Sequence, residues 1–333
     1  MRDESIERDA ERVVVIFPGA LGDWLLALPA LRALRARHAR AHVTMIVAER
    51  LRVLVQLAGV ADATASVDAA EAASLFAGSA LPSWLAERPT VYSWLGGDDA
   101  DLRRRVARAS RRASFFRVER GAGAVHATVA YARAVGAGAG MRALAAEARI
   151  VAPPSTLAAD VLSAPGPFLA VHPGAGARAK RWDVPGFVHV AQWWRGAGGA
   201  VLELAGPAEA GEAPALGSRA IRDWPLPDLA ALLAGVDLYL GNDSGVSHLA
   251  AAVGTPGVVL FGPTTAARWR PLGAPTVVLE ARTTGADGIS LADMPPARVV
   301  AACRRRFALT RGTPDISVLA TENRPERPRR TFK

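Results

Sequence analysis

The chain has few of the residues that cross-link small proteins. Its 333 residues include one cysteine, Cys303, which excludes a disulfide scaffold and a zinc site built from cysteines. Only 21% of the residues are charged and 50% are hydrophobic, so disorder is excluded for the bulk of the chain. The 31 glycines and 23 prolines follow no period, which excludes collagen-like and coiled-coil classes. The length suits two globular domains.

Lysine is nearly missing as well. Of the 40 basic residues only Lys180 and Lys333 are lysine, and the others are arginine. The net charge of +9 favours an anionic partner such as a phosphate, a carboxylated sugar or a membrane surface. Because the arginine excess reflects a compositional bias, the charge is no argument for nucleic acid, and we expect no nucleic-acid partner.

The sequence shows no signal for export or for crossing a membrane. Residues 1–12 are rich in charge and no apolar core follows them, so a secretory signal is not expected. One uncharged run, 249–267, raises the question of a transmembrane segment, but glycines and prolines at 254–257 and 262–263 favour a helix, a turn and a strand. We expect a cytoplasmic protein, and peripheral contact with the inner face of the inner membrane stays open.

Hydrophobic runs and helical spacings alternate in two arrays, separated by a stretch with four prolines. Continuous runs of β-branched residues are typical of parallel strands buried on both faces. The expected strands are 13–17, 43–47, 91–94, 114–118, 168–172, 201–205, 238–240 and 258–261, and the expected helices are 25–38, 51–57, 102–112, 125–135, 187–195, 229–233 and 246–253.

Two successive arrays predict an α/β fold of two doubly wound, Rossmann-like domains that face a central cleft. We expect the first domain over 1–152 and the second over 168–310, with a linker over 153–167 and a basic, loose tail over 311–333. Open α/β sheets bind ligands at the carboxyl ends of their strands, so the loops that follow strands are where site residues are expected.

The turn after the first strand carries Gly19, Gly22 and Asp23. The glycines allow a tight turn and a close approach of the backbone to a ligand. Their spacing is not G-x-G-x-x-G, which makes a dinucleotide site a poor interpretation. Asp23 has two interpretations: a carboxylate that stabilises the start of a helix, or a general base at the end of a strand.

A second glycine-rich loop, with Gly174 and Gly176, follows the strand at 168–172 and ends at Lys180 and Arg181. It lacks the spacing of a P-loop. A compact ammonium suits a phosphate oxygen where a guanidinium fork does not fit, and Lys180 is the only lysine before the terminal residue of this arginine-rich chain. The alternative is a solvated surface lysine.

The most specific motif follows the strand at 238–240, where Asp243, Ser244 and Gly245 lead into a helix with His248 in its first turn. Free N–H groups at the start of a helix form an anion site, and they would offer donors to a diphosphate. N-capping by Asp243 or Ser244 is the alternative, but capping does not account for the histidine.

Other catalytic patterns are weak. Asp99 and Asp101 have the spacing of a D-x-D metal motif, but they precede a helix, which favours capping of that helix. No His, Cys or carboxylate cluster has metal-ligand spacing, so no metal is expected. No G-x-S-x-G elbow signals a Ser-His-Asp triad.

Taken in order, these segments resemble the bacterial heptosyltransferase family, glycosyltransferase family 9. The segments that carry the resemblance are Gly19-Ala20-Leu21-Gly22-Asp23, His172-Pro173-Gly174-Ala175-Gly176 with Lys180-Arg181-Trp182, Ala205-Gly206-Pro207-Ala208-Glu209, Gly241-Asn242-Asp243-Ser244-Gly245 with His248, and Phe261-Gly262-Pro263-Thr264.

The resemblance implies a GT-B fold with an acceptor domain followed by a nucleotide-sugar domain. It implies inverting transfer of a heptose or related sugar from an ADP-sugar to lipopolysaccharide inner core or a similar anionic or lipid-linked glycan, without a metal or other cofactor. Asp23 matches the general base. The donor-binding positions would be Gly174, Gly176, Lys180, Glu209, Asp243, Ser244, Gly245 and His248.

The acceptor site is less marked. Gly19 and Gly22 would line it, and Arg103 and Arg104 are the candidates for gripping an anionic acceptor within an arginine-rich stretch that is otherwise a solvated face. A catalytically idle nucleotide-sugar-binding protein on the same scaffold is the alternative, because the segment 207–219 is short. A nicotinamide oxidoreductase is disfavoured by the missing G-x-G-x-x-G pattern.

Overall fold

The structure, a computed structural model, describes residues 11–77, 81–117, 125–209, 215–281, 284–285 and 288–311. The expected tail lies outside the described residues from 312 onward. The uncharged run at 249–267 is a helix end, a turn, a strand and a short helix. No helix within the described ranges is both long and apolar enough to cross a membrane.

The first half of the chain forms a five-stranded parallel sheet in the order β3-β2-β1-β4-β5. Its central strand is buried because helices cover both faces of the sheet. The strands are β1 (Arg12–Ile16), β2 (His42–Val47), β3 (Ala63–Ser66), β4 (Thr90–Ser93) and β5 (Arg112–Phe115). The helices are α1 (Leu21–Arg37), α2 (Arg52–Ala58), α3 (Ala70–Ala77), α4 (Ala100–Ala109), α5 (Ala127–Ala134) and α6 (Met141–Glu147). Helix α7 (Thr156–Leu162) follows in the chain before the second sheet.

The second half forms a six-stranded parallel sheet in the order β11-β10-β9-β6-β7-β8. The strands are β6 (Phe168–His172), β7 (Ala200–Ala205), β8 (Arg219–Arg222), β9 (Leu238–Asn242), β10 (Gly257–Phe261) and β11 (Thr276–Glu280), followed by the short pair β12 (Thr284–Gly285) and β13 (Gly288–Ile289). The helices are α8 (Val184–Gly196), α9 (Leu226–Gly235), α10 (Gly245–Ala252), α11 (Ala266–Trp269) and α12 (Pro296–Arg311).

Each sheet has one point at which the chain reverses its progress across the sheet. Strand β1 lies between β2 and β4, and strand β6 lies between β7 and β9. At such a switch point the connecting helices leave toward opposite faces, which opens a crevice at the carboxyl ends of the strands. The fold therefore offers one binding crevice in each half.

The two halves meet where α1 packs against α10. A Cβ on Gly22 would lie 2.9 Å from the His248 ring, and a Cβ on Gly245 would lie 3.0 Å from the Cβ of Leu21, so glycine permits the close approach. One hydrophobic cluster includes residues of both halves. The limits expected for the two domains stay a prediction.

The stretch expected to be a linker, 153–167, is not irregular throughout, because it contains α7. The Ser155 hydroxyl oxygen accepts a hydrogen bond from the Ala158 N–H at 3.1 Å and the hydroxyl donates to Asp228 at 2.6 Å, so it caps the helix and ties it down. The prolines flank the helix and do not interrupt it. The expected linker is therefore partly a packed element of the second half, against which α9 lies.

Two expected boundaries in the first half were wrong. The helix expected over 102–112 ends at Ala109, and the strand expected over 114–118 begins at Arg112. Strand β5 already pairs with β4 at Arg112. The charge pattern had assigned this residue to the helix, so pairing within the sheet accounts for the difference. The sequence did not predict the strands β3, β8, β11, β12 and β13 or the helices α3, α6, α7, α11 and α12.

Phe17 anchors the core directly behind the first crevice. It is fully buried, and its ring meets those of Trp94 and Tyr131 edge-on, with centroids 5.4 and 5.7 Å away. We expect Phe17→Ala to lower the free energy of unfolding by about 3–5 kcal/mol, because truncation leaves a cavity. Urea titration measures this change. The matched control is Phe76→Ala, whose ring is 52% exposed and should cost less than about 0.5 kcal/mol. An equal loss of unfolding free energy in both variants would contradict the packing of Phe17 described here.

Candidate active site between two parallel sheets

A cavity of about 490 Å³ lies where the carboxyl ends of the two sheets face each other. Its wall comes from the loops after β1, β4, β6, β9 and β10, so both switch points open into it. Nine of the predicted site residues line it: Gly19, Gly22, Asp23, Gly176, Lys180, Asp243, Ser244, Gly245 and His248.

Asp23 stands in the wall of this cavity, half-buried in the first turn of α1. The helix begins at Leu21, four residues before its predicted start, and its N-cap residue is Ala20. Asp23 is therefore not the capping side chain, although the helix dipole favours a carboxylate at its position. A Cβ on Gly19 would lie 3.0 Å from the Cβ of Asp23 and would collide with the ring of Phe17, so only glycine fits there.

Lys180 enters the same cavity from the second half. Its Nζ lies 2.8 Å from Oδ2 of Asp243, and the Thr264 hydroxyl donates to the same oxygen at 2.7 Å. The Asp243 side chain is 6% exposed and that of Lys180 is 30% exposed, so the carboxylate is buried while the ammonium stays accessible. The alternative of a solvated surface lysine does not hold, because the ammonium is held in a cavity wall.

A chain of hydroxyl groups fixes the amino end of α10. Ser244 is the N-cap, and its Oγ lies 3.2 Å from Nδ1 of His172 and 3.3 Å from Oγ of Ser247. Ser247 meets the Tyr239 hydroxyl at 2.9 Å and donates to the Asn242 carbonyl at 2.5 Å. Burial raises the pKa of the Tyr239 hydroxyl, so it stays protonated and able to donate. The first turn of α10, whose N–H groups are the donors a helix cannot satisfy internally, is thereby held at the cavity.

His248 lies one turn into α10, beneath Gly22 of α1. Burial lowers the pKa of its imidazole to about 4, although the nearby Asp243 carboxylate acts in the opposite direction. Its Nε2 lies 3.9 Å from Oδ1 of Asp243. The ring is therefore neutral at neutral pH and adds no positive charge to the site.

Glu209 lies beside this cavity and not in its wall. Its carboxylate accepts hydrogen bonds from the Gly206 N–H and the Arg181 guanidinium, both at 3.0 Å, and lies 3.7 Å from His172. Burial alone would raise the pKa of Glu209, but the hydrogen bonds and charges of these partners outweigh burial and lower it. A Cβ on Gly174 would collide with the carboxylate. The predicted donor residues Glu209 and Gly174 are thus neighbours outside the cavity wall.

The structure does not bring Arg103 and Arg104 into the cavity. Both are exposed on α4, because Leu102 and Val106 occupy the face of that helix that packs on the core. Arg103 lies over the ring of Phe115, with its guanidinium carbon 5.5 Å from the ring centroid. This geometry does not support direct contact between either arginine and an acceptor that is bound beside Asp23.

A second cavity, of about 590 Å³, adjoins the first and shares three aromatic residues with it, Trp94, Tyr131 and Trp269. Arg117 and Arg133 add guanidinium groups to its wall. Sequence reasoning missed the three rings, because hydrophobic spacing marks a residue as core and cannot tell a core from a cavity wall. Among the described arginines of the stretch 103–120, Arg117 is the one that reaches this cavity.

Asn242 positions two loops of the cavity wall, a role that sequence reasoning did not assign. It is fully buried, its Oδ1 accepts a hydrogen bond from the Trp182 N–H at 3.0 Å, and its Nδ2 donates to the Pro173 carbonyl at 2.7 Å. It therefore ties the loop after β6 to the end of β9. The position of Asn242 in the polar turn after β9 could have indicated this role, because a buried amide needs hydrogen-bond partners.

Metal-binding side chains do not cluster in the part of the chain that the structure describes: no three of its His, Cys, Asp or Glu residues form a group that would hold a metal ion. The D-x-D segment is occupied otherwise. Asp99 caps α4, and its Oδ1 accepts from the N–H groups of Asp101 and Leu102, both at 2.9 Å. The capping interpretation of this segment is confirmed.

Two parallel sheets that face one another across a cavity at their carboxyl ends define the GT-B fold, an architecture of glycosyltransferases. The family model for glycosyltransferase family 9 (heptosyltransferase) matches residues 75–287. The chain belongs to this family, as its motifs predicted.

A comparison with curated proteins agrees with this family assignment. Lipopolysaccharide heptosyltransferase 3 of Escherichia coli is 49% identical over 45 residues, which are 14% of this chain and 13% of that relative, so the match spans only a small part of the curated protein's length.

Two solved structures share the fold. The glycosyl transferase family 9 protein from Veillonella parvula DSM 2008 superposes with a TM-score of 0.71 at 19% identity, covering 92% of this chain and 99% of that chain. The ADP-heptose lps heptosyltransferase II of E. coli superposes with a TM-score of 0.66 at 19% identity, covering 90% and 99%. These likenesses confirm the predicted GT-B fold.

His248 should make the stability of the protein depend on pH. Its folded pKa of about 4 lies below the value of 6.5 for an unperturbed histidine. Between these values the unfolded chain binds a proton that the folded chain does not, so this contribution to stability rises with pH and is fully present above about 6.5. We expect a change from about pH 7 to about pH 5 to remove on the order of 2 kcal/mol of the free energy of unfolding through this residue.

Urea titrations of the wild type and His248→Gln at both pH values measure this effect. The variant lacks the titrating imidazole, so its pH dependence should be smaller by that amount. His42→Gln, which replaces an exposed histidine, serves as the control and should keep the dependence of the wild type. An unchanged pH dependence in His248→Gln would show that the buried ring does not control it.

Proposed function

We propose that this protein is an inverting glycosyltransferase that moves a heptose or a related sugar from an ADP-sugar to a glycan acceptor of the lipopolysaccharide inner-core type. The observation that carries the proposal is one cavity whose wall holds Asp23 from the first half and Lys180 with the amino end of α10 from the second. Membership of the family supports sugar transfer, and a fold relative whose name specifies ADP-heptose supports the donor.

Asp23 acts as the general base in this proposal. The acceptor hydroxyl attacks the anomeric carbon on the face opposite the diphosphate, and Asp23 takes the hydroxyl proton as the new C–O bond forms. A positioned base of this kind contributes ~10²–10⁴-fold to the rate. The other described carboxylate in the wall, Asp243, is paired with Lys180 on the donor side of the cavity. Asp23 comes from the first half, where the acceptor is proposed to bind, so it is the better placed base.

Lys180 and α10 stabilise the leaving group. As the bond from the sugar to the diphosphate breaks, its electron pair and the negative charge stay on the departing nucleotide. An ammonium and preorganised N–H donors beside Ser244 and Gly245 stabilise that charge in a site partly shielded from water. Because these groups supply the positive potential, the proposal includes transfer without a metal or other cofactor.

The acceptor occupies the first half in this proposal. The 590 Å³ cavity opens from the reaction site, and Arg117 and Arg133 in its wall suit carboxylate or phosphate groups, which guanidinium forks bind in two-pronged geometry. These arginines take over the role for which the sequence offered Arg103 and Arg104. Glu209 and Gly174 support the donor loop from behind, through Arg181.

We expect Asp23→Asn to lower turnover with ADP-heptose and an inner-core acceptor by at least about 100-fold, because the amide cannot take the proton. Binding of ADP-heptose, measured by calorimetry, should stay close to that of the wild type. The matched control is Asp101→Asn, an exposed position outside the cavity, which should leave turnover unchanged.

Three outcomes would overturn parts of the proposal. Undiminished turnover in Asp23→Asn would remove Asp23 as the base. Donor binding without transfer by the wild type would favour the catalytically idle alternative. Loss of wild-type turnover in excess EDTA, restored by a divalent cation, would replace the metal-free mechanism.

A further inference from the structure

A buried histidine, His172, lies directly behind the amino end of α10. Its Nδ1 lies 3.2 Å from Oγ of Ser244, and its Nε2 lies 3.7 Å from Oε2 of Glu209. The imidazole and the carboxylate are both buried, whereas Ser244 is part of the cavity wall. His172 takes no part in the steps proposed above, yet it contacts the residue at which the diphosphate is proposed to bind.

Glu209 determines which nitrogen of the His172 ring carries the hydrogen. Burial alone would raise the pKa of Glu209, but the hydrogen bonds and charges of its partners outweigh burial and lower it, so the carboxylate is ionised. An ionised carboxylate that faces Nε2 favours a hydrogen on that nitrogen, which leaves a lone pair on Nδ1 of the neutral ring. The Ser244 hydroxyl therefore donates to Nδ1.

The other hydroxyl groups of the network also keep the Ser244 hydrogen away from the cavity. Ser247 donates its one hydroxyl hydrogen to the Asn242 carbonyl at 2.5 Å and accepts from the Tyr239 hydroxyl at 2.9 Å. In its 3.3 Å contact with Ser247 the Ser244 hydroxyl is therefore the donor. Its hydrogen points to His172 or to Ser247, and both are buried outside the cavity wall.

A proton on Nδ1 of His172 reverses this arrangement. The Nδ1–H group then donates to Ser244, whose own hydrogen becomes available to a ligand oxygen in the cavity. A phosphate oxygen is a stronger acceptor than the neutral Ser247 hydroxyl, because the phosphate is charged. The imidazolium faces Glu209 on its other side, so the added charge is not isolated inside the protein.

The charged side chains of the elements around β6 have partners of their own: Lys180 binds Asp243, Arg181 binds Glu209, Arg222 donates to the Glu209 carbonyl, and Glu203 accepts from two backbone N–H groups. Burial lowers the pKa of His248 on α10 to about 4, and burial raises the pKa of Tyr239 on β9, so neither changes its charge near neutral pH. Among the described neighbours of Ser244, His172 is therefore the group suited to take up a proton.

We propose that His172 is a positioning residue that takes up a proton when the diphosphate of the donor binds, and that it acts through the Ser244 hydroxyl. The proton comes from solvent and enters at Nδ1, and the Ser244 hydrogen turns from the ring to a phosphate oxygen. When the nucleotide leaves, both hydrogens return and the ring releases its proton to solvent. The proposal rests on the donor site of the proposed function but does not require sugar transfer.

Calorimetry with ADP-heptose, in two buffers of different ionisation enthalpy, counts the protons that binding takes up. ADP-heptose suits the test because its diphosphate is esterified at both ends and lacks the phosphate ionisation near pH 6. We expect uptake of at least about 0.3 proton per protein at about pH 7.5. The affinity should fall as the pH rises, by up to about tenfold per pH unit for each proton taken up.

His172→Gln should lose the proton uptake. At about pH 6.5 it should bind ADP-heptose about tenfold more weakly than the wild type, and the two affinities should converge at about pH 9, where the wild-type ring is neutral. A merely structural loss would not depend on pH in this way. Ser244→Ala, in which the ring remains, should also lose most of the uptake, and it carries the test if thermal melting shows that His172→Gln does not fold.

The matched control is His189→Gln, which replaces an exposed histidine of α8 and should keep both the uptake and the pH dependence of the wild type. Full uptake in His172→Gln or in Ser244→Ala would overturn the proposal. Binding of ADP-heptose by the wild type without proton uptake would overturn it as well and would leave the proposed function standing. Uptake by a protein that shows no transfer would support the proposal and contradict the proposed function. A wild type that does not bind ADP-heptose would overturn both.

Discussion

The contact between Lys180 and Asp243 is the interaction on which the site depends. Asp243 follows β9 and Lys180 follows β6, so the pair joins the two loops that meet at the switch point of the second sheet. A buried carboxylate needs such a partner, and losing either member would leave the other charge uncompensated. Because Thr264 binds the same carboxylate oxygen, the ammonium is held at one place and still reaches the cavity.

Close backbone approach is the second constraint. Gly22 and Gly245 allow α1 and α10 to meet, and a side chain at Gly22 would push against the His248 ring. The amino ends of two helices, with Asp23 on one and Ser244 on the other, thus face a shared cavity. The absence of side chains at Gly22 and Gly245 thus brings together the carboxylate that we propose as the base and the helix end that we propose as the site of the diphosphate.

The sequence was sufficient for the α/β class, the family and most of the cavity wall, because buried parallel strands and the polar turns after them leave local patterns. It failed where neighbours decide the outcome. Asn242 acquires its role from Trp182 and Pro173, and Arg103 is turned away by the packing of α4, neither of which a local pattern records. The helix α7 within the expected linker was likewise hidden by the prolines that flank it.

The most direct test of the account compares the affinity of Lys180→Gln and the wild type for ADP and for adenosine by calorimetry. If the ammonium meets the diphosphate, the variant should bind ADP about 10–100-fold more weakly and adenosine equally well, since a charge-assisted hydrogen bond is lost with the phosphates alone. An equal loss for both ligands, or no loss for ADP, would contradict the assignment of Lys180 to the leaving group.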